Sequence, residues 1–589
     1  MTLQNYTESK LLGVAKLRNN SNIIAVARGD LPADLLLKGG KIFSTSTKEW
    51  IELDLAITSG VIVGWGSRDA KEVVDVTGCY LTPGFIDSHM HLESTKLWVD
   101  TFVSTVLPHG TTAVAADPHE LANVLGIVGV KELIEASSKL PFTFGVCASS
   151  CVPASHFESP GAEIDANDVA ELLKDPHVIG VAEMMNYPGV IHGDKEVLAK
   201  IAAAADRRVD GHSPGVSGSD LDAYLCAGIE SDHECTTYEE ALEKRRKGMW
   251  IFLREGSAAR NIAELSRMVR EFGPYRCALC TDDREPRVLI EKGHINDCIR
   301  VALQSGITLE DALLMATANA AEYHGFNQLG TLAPGYQADV LVFNDIETLE
   351  PTYVYRAGQL VAFEGKVVPG LFERLDPPKS MKSTVHLESP VTGDELVLPP
   401  SDDSDLVRVI GVKDGSITTT EQIITASEFR SRGVNRLAVV ERHRKTGRIG
   451  RGYTVGFGIA SGAIASTVAH DAHNIMVVGG LSQSDSADMA TAVNFLAKEG
   501  GGQVVVQGGE ILAFLPLPIA GLISDKTAPE VAEEMSKVLA ASKTLGSEVQ
   551  EPFMTLSFLG LSVIPELRLT DLGLVDVRSF ELVDPFLGR

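Results

Sequence analysis

Short apolar runs separated by turn residues recur along the first eighty positions. Asp34-Leu35-Leu36-Leu37-Lys38-Gly39-Gly40-Lys41-Ile42-Phe43 and Asp54-Leu55-Ala56-Ile57-Thr58-Ser59-Gly60-Val61-Ile62-Val63-Gly64-Trp65 both have this form. Runs broken by Gly-Gly and Ser-Gly predict β-hairpins. The same texture returns between Gly330 and Phe343 and between Gly358 and Val368, so residues 1–80 and 330–375 are expected to complete one small β-domain. Across 81–329 the pattern changes to short apolar strands alternating with helix-like stretches, which is the sequence form of a parallel α/β fold.

Eight strand candidates begin there, at Phe85, Thr112, Phe142, Val178, Arg208, Gly228, Met249 and Cys277. That number of βα units in this length predicts a (β/α)8 barrel, with its chemistry at the carboxyl ends of the strands. Helical patterns include 169–174, 258–269 and 307–321; the last has Thr308 as its expected N-cap and closes the barrel. Proline- and serine-rich linkers at 376–380 and 399–403 lead to a third region, 400–589, expected as an α+β domain with Gly479-Gly480 and Gly508-Gly509 turns and a helix over 486–499.

The strand ends carry metal-ligand residue types. Strand one delivers His89 and His91, two apart and therefore on one face of an extended chain. Strand four ends in Glu183, strand five in His212, strand six in His233 followed by Glu234, and strand eight in Asp282 followed by Asp283. Any one of these is an ordinary polar group at a loop start; together they fill the single layer where such a barrel keeps its active site.

Composition narrows the partners. A formal net charge of −27 opposes nucleic acid and anionic membrane as partners, because like charge repels at close range. The apolar run 11–15 is cut short by Lys10, Lys16 and Arg18, and no later run reaches membrane-spanning length, which predicts a cytoplasmic protein. Eight cysteines, all before residue 300, do not form a disulfide framework. His91-Leu92-Glu93 with Cys277-x-x-Cys280 superficially matches the small zinc deaminases. Three-residue spacing on a strand sends the two thiols to opposite faces, so they are expected to be core residues.

Pro83-Gly84-Phe85-Ile86-Asp87-Ser88-His89-Met90-His91 resembles the first-strand signature of the amidohydrolase superfamily. Ala116-Asp117-Pro118-His119-Glu120, Ala182-Glu183-Met184-Met185-Asn186, Asp210-Gly211-His212, Ser231-Asp232-His233-Glu234 and Thr281-Asp282-Asp283 resemble the bacterial-type adenine deaminase family, over nearly the whole chain. The resemblance implies two divalent metal ions, manganese or iron favoured and zinc possible, with His89, His91 and Asp282 on one, His212 and His233 on the other, and Glu183 between them. It implies hydrolytic deamination of adenine to hypoxanthine and ammonia by a metal-bound hydroxide attacking C6. A metal can bring the pKa of bound water from about 15.7 to about 7. Asp282 is the expected proton acceptor, Glu234 the expected donor to N1 with Asp283 as alternative, and Glu120 a weaker candidate for purine contact or a further metal. Cyclic-amide hydrolysis of the dihydroorotase or hydantoinase kind, and a non-enzymatic scaffold on the same fold, are the competing readings. His470 and His473 are expected to be either structural or part of a further site, and a homo-oligomer is the expected assembly.

Overall fold

The computed structural model describes residues 20–587 apart from 258, 400, 401 and 403; the apolar run at 11–15 lies outside the described residues. Eight parallel strands carry the central region: β1 (Phe85–Met90), β2 (Thr111–Ala116), β3 (Thr143–Ala148), β4 (Val178–Met184), β5 (Arg208–Gly211), β6 (Ser231–Asp232), β7 (Trp250–Arg254) and β8 (Cys277–Cys280). They pair as two arcs, β1 to β5 and β6 to β8. Between β8 and β1 the contact is one parallel bridge, Met90 to Asp282, where the Asp282 amide donates to the His89 carbonyl over 2.9 Å. Between β5 and β6 the Glu230 amide donates to the Val209 carbonyl over 3.0 Å. The fold is thus α/β of the TIM-barrel type, with strand ladders that are interrupted at two seams.

Period-two burial explains the cysteines. Cys277 and Leu279 pack into the large core, whereas Ala278 and Cys280 join a separate cluster with Trp250 and Phe252. Both cysteines are free and buried, as core residues of β8.

Two local expectations are corrected. Gly39-Gly40 is a bulge inside one twelve-residue strand, Ala33–Ser44, instead of a hairpin turn; the register with Glu49–Thr58 slips there, and the Gly39 φ of +77° is one that a side chain disfavours. The helix expected over 307–321 is two helices, Leu309–Met315 and Ala318–His324. Thr308 does cap the first, accepting from the Asp311 amide, but Thr317 leaves the helical region and its hydroxyl donates back to Leu313 O. A helical sequence pattern persists across such a break because only the backbone of one residue changes.

Before and after the central strands, one nine-stranded sheet joins both flanking segments: Tyr80–Pro83 pairs antiparallel with Val340–Phe343, Leu81 opposite Val342. The C-terminal part holds an eight-stranded sheet covered by helices Gln483–Glu499 and Ala528–Thr544, and a three-stranded sheet ending at Val583. Ser482 caps the first of these helices through a capping box, so that the helix starts at Gln483, three residues before the expected start. The C-terminal part is seated on the barrel mouth by bonds from Asn474 Nδ2 to Ser159 O (3.1 Å), from the Ser159 amide to Asp571 (3.0 Å) and between Ser155 and Ser562 hydroxyls (2.6 Å). No described helix is long and apolar enough to cross a membrane.

Candidate metal centre at the barrel mouth

The loop starts of β1, β4, β5, β6 and β8 bring all six expected ligands together, each nearly or fully buried. Asp87 staples the floor: its carboxylate accepts from the His89 amide and from the Thr281 amide and hydroxyl, tying β1 to β8 directly beneath the ligands. His91 Nδ1 donates to the Asp117 carbonyl over 3.0 Å, which leaves the Nε2 lone pair aimed inward. His89 Nε2 and His91 Nε2 are 3.2 Å apart, and Asp282 Oδ1 lies 3.5 and 3.2 Å from them. Asp282 takes a φ of +56°, a strained value for a non-glycine residue held by the surrounding ladder bonds.

Glu183 faces two ways. Oε1 looks at His91 (3.5 Å) and His89 (4.0 Å), while Oε2 looks at His212 Nδ1 (2.7 Å) and His233 Nε2 (3.2 Å). Burial by itself raises this carboxyl group, but the imidazoles of His212 and His233 outweigh it and hold Glu183 well below the usual carboxylate range. In return, against a burial effect of opposite sign, Glu183 lifts His233 to about 9. Converging imidazole nitrogens and carboxylate oxygens at ligand-to-ligand separations, with no thiolate, suit divalent manganese, iron or zinc.

Arg254, at the end of β7, escaped the sequence reading because an arginine is not a ligand type. It bonds both oxygens of Glu234, through Nη1 to Oε1 and through Nη2 to Oε2 (2.9 Å), and Nη1 also reaches Asp282 Oδ2. Burial raises the Asp282 carboxyl group, yet the Arg254 charge, with His89 and His91, holds it well below its ordinary value. Asp283 is less enclosed; Ser94 Oγ donates to its Oδ1 and also lies 3.3 Å from Glu120 Oε1.

Glu120 does not join the six ligands. It meets the C-terminal part, with His470 Nδ1 3.7 Å from Oε1 and His473 Nε2 3.5 Å from Oε2. His473 Nδ1 accepts from the Ala469 amide over 3.1 Å, so its ring proton sits on Nε2, toward Glu120, and a lone pair for a metal is lacking there. Glu93 lies behind the site: Oε1 accepts from the Leu121 amide, and burial together with the charge of Glu120 raises it to about 7. A pocket opens over the ligands, with Ile417, Phe558, Leu561 and Ile564 as its apolar wall from the C-terminal part.

Below His212 and His233, Lys244 is fully buried and donates to Ser213 O (2.6 Å), Asp232 (3.1 Å) and Glu240 (2.8 Å). Asp232 in turn accepts from the Ser213 amide, between the two ligand-bearing loops. Lys244→Met is expected to destabilise the fold by about 3–5 kcal/mol, because it leaves a buried carboxylate without its cation. A melting curve of the metal-free variant unchanged from wild type contradicts this.

Fold and cluster together define a metal-dependent amidohydrolase. The amidohydrolase family profile matches residues 80–361, and the profile described as "Adenine deaminase C-terminal domain" matches 412–581. The chain is 44% identical over 570 residues to adenine deaminase 2 of Carboxydothermus hydrogenoformans, covering 95% of this chain and 98% of that protein. It is 45% identical to an adenine deaminase of Methanothrix thermoacetophila, covering 96% and 99%, and 43% identical to one of Desulfatibacillum aliphaticivorans, covering 96% and 100%. The chain belongs to the adenine deaminase family.

Proposed function

We propose that the protein hydrolyses adenine to hypoxanthine and ammonia at a centre of two divalent ions, manganese or iron before zinc. His89, His91 and Asp282 would hold one ion, His212 and His233 the other, and Glu183 would give one oxygen to each. The observation that carries this reading is the division of Glu183 between two histidine pairs, each oxygen facing its own pair, in a chain whose relatives are named adenine deaminases. When bound, the ions would acidify a water by as much as the step from about 15.7 to about 7.

The chain's own groups then account for the protons. One water enters; its oxygen becomes O6 of hypoxanthine, one proton goes to N1 and the other leaves with the amine as ammonia. Asp282, kept ionised by Arg254, is the acceptor at rest. Glu234 has both oxygens engaged by Arg254, which favours Asp283, bonded through Oδ1 to Ser94, as the group facing N1. The apolar wall of Ile417, Phe558, Leu561 and Ile564 suits the flat face of a purine. The backbone bonds that cross the two seams support reading the eight strands as one barrel, and the shared nine-stranded sheet supports grouping 1–80 with 330–375.

Protein stripped of metal with a chelator and reloaded with Mn²⁺ is expected to convert adenine to equimolar hypoxanthine and ammonia, with turnover lost on stripping and restored on reloading. Hydrolysis of a hydantoin without adenine turnover is the result that overturns the proposal.

A further inference from the structure

His119 and Asp471 are buried beside the six ligands and have no part in the chemistry so far. His119 follows β2; its Nδ1 lies 3.2 Å from Asp117 Oδ2 and 3.6 Å from Glu183 Oε1, and its ring centroid is 4.7 Å from that of His91. Its Nε2 points the other way, to Asp471 Oδ1 at 3.7 Å. Asp471 comes from the turn between strands Ala463–Ser466 and Ile475–Gly479 of the C-terminal part, the same turn that is pinned by Asn474 to Ser159 and by the His470 amide to Ser557 O. The other neighbour of Oδ1 is His470 Nδ1 at 3.6 Å, and Oδ2 has no hydrogen-bond partner among the described residues.

We propose that His119 is a further side chain of the metal centre, facing the ion expected at His89 and His91, and that Asp471 of the C-terminal part orients it.

The convergence of buried ligand atoms from His91, Asp117, His119 and Glu183 argues for this. A neutral imidazole has one N–H. Placed on Nδ1, it donates to Asp117 Oδ2 over 3.2 Å and leaves a lone pair facing the Asp471 carboxylate; placed on Nε2, it faces Asp471 Oδ1 at 3.7 Å and frees the Nδ1 lone pair toward Asp117, Glu183 and His91 Nε2, the arrangement that an ion among those groups would select. Four electron-rich atoms then converge with all their mutual separations within 4.8 Å. Ligands held about 2.1 Å from a tetrahedral ion are about 3.4 Å from one another, close to the observed 3.2, 3.5 and 3.6 Å. A carboxylate behind a histidine whose opposite nitrogen faces a metal is the usual way such a ring is fixed, and losing the carboxylate typically costs 10–100-fold in metal affinity. The carboxyl groups at this site also outnumber its one guanidinium, that of Arg254, so a buried cation relieves their repulsion. The C-terminal part thereby completes the support of the ions from outside the barrel.

This inference rests on the metal-dependent reading, and one titration separates the two. Mn²⁺ is added to chelator-stripped protein and the free ion is followed by its electron paramagnetic resonance signal, with melting temperature as a second readout. Wild type is expected to take up two ions. His119→Ala and Asp471→Asn are expected to hold one of the two at least about 10-fold more weakly, with an unchanged metal-free melting temperature and a smaller rise on adding Mn²⁺. Ser562→Ala, which removes the 2.6 Å bond to Ser155, is expected to bind like wild type. If His119→Ala does not fold, His119→Gln together with Asp471→Asn decides the question. Isotherms for both positions superimposable on wild type overturn the role of His119 and Asp471; a wild type that binds no ion pair overturns the metal reading itself.

Discussion

Replacing Glu183 by glutamine is expected to leave at most one ion bound and to lower adenine turnover by at least roughly 10³-fold. The amide keeps the shape of the carboxylate but offers one oxygen instead of two, and it presents N–H donors to one of the two histidine pairs. Oε2 is the oxygen nearest His212 and His233, and Oε1 the one nearest His91; either orientation of the amide spoils one side. The imidazoles also lose the charge that offsets their burial, since Glu183 is among the groups that raise both His212 and His233. Metal analysis beside hypoxanthine formation tests this. Two ions per chain and full turnover in the variant would remove Glu183 from the bridging position.

The contrast between Glu183 and Arg254 shows what the sequence made legible. His89, His91, Glu183, His212, His233 and Asp282 sit at strand ends, and an alternating apolar strand announces its own end; residue type and position together were enough to foresee that the six would meet. The eight strands were readable for the same reason, and their observed limits differ mainly at β6, where only Ser231 and Asp232 are paired. Gly39-Gly40 and Thr317 were misread because a bulge and a one-residue helix break depend on which partner strand or carbonyl lies opposite, and a local pattern does not contain that partner. The meeting of Glu120 with His470 and His473, and of His119 with Asp471, spans some 350 positions of sequence. Nothing local to either segment encodes it. What the sequence did supply was the residue types: both histidines of the 469–474 turn and Glu120 stood out separately before the fold brought them together.

Arg254→Leu is expected to lower kcat by roughly 10²-fold or more and to destabilise the protein by about 3–5 kcal/mol. The guanidinium is buried and bonds two carboxylates from two different strand ends. Removing it takes from Glu234 and Asp282 the guanidinium that they share, and each then gains from protonation. On the proposed reading, protonation of Asp282 is a loss of function, because a neutral carboxyl group would neither accept a proton nor pair with an ion facing His89 and His91. Arg254→Lys separates charge from geometry: a single ammonium restores part of the electrostatic balance but cannot bond both oxygens of Glu234 while also reaching Asp282. The lysine variant is therefore expected to recover more of the stability than of the turnover. Measuring kcat, KM and metal content for both variants resolves the cause. A fall in kcat at full metal occupancy identifies Arg254 as the residue that positions Asp282 for the reaction. Equal loss of stability and turnover in the leucine and lysine variants contradicts the bidentate role and reduces Arg254 to a buried counter-charge.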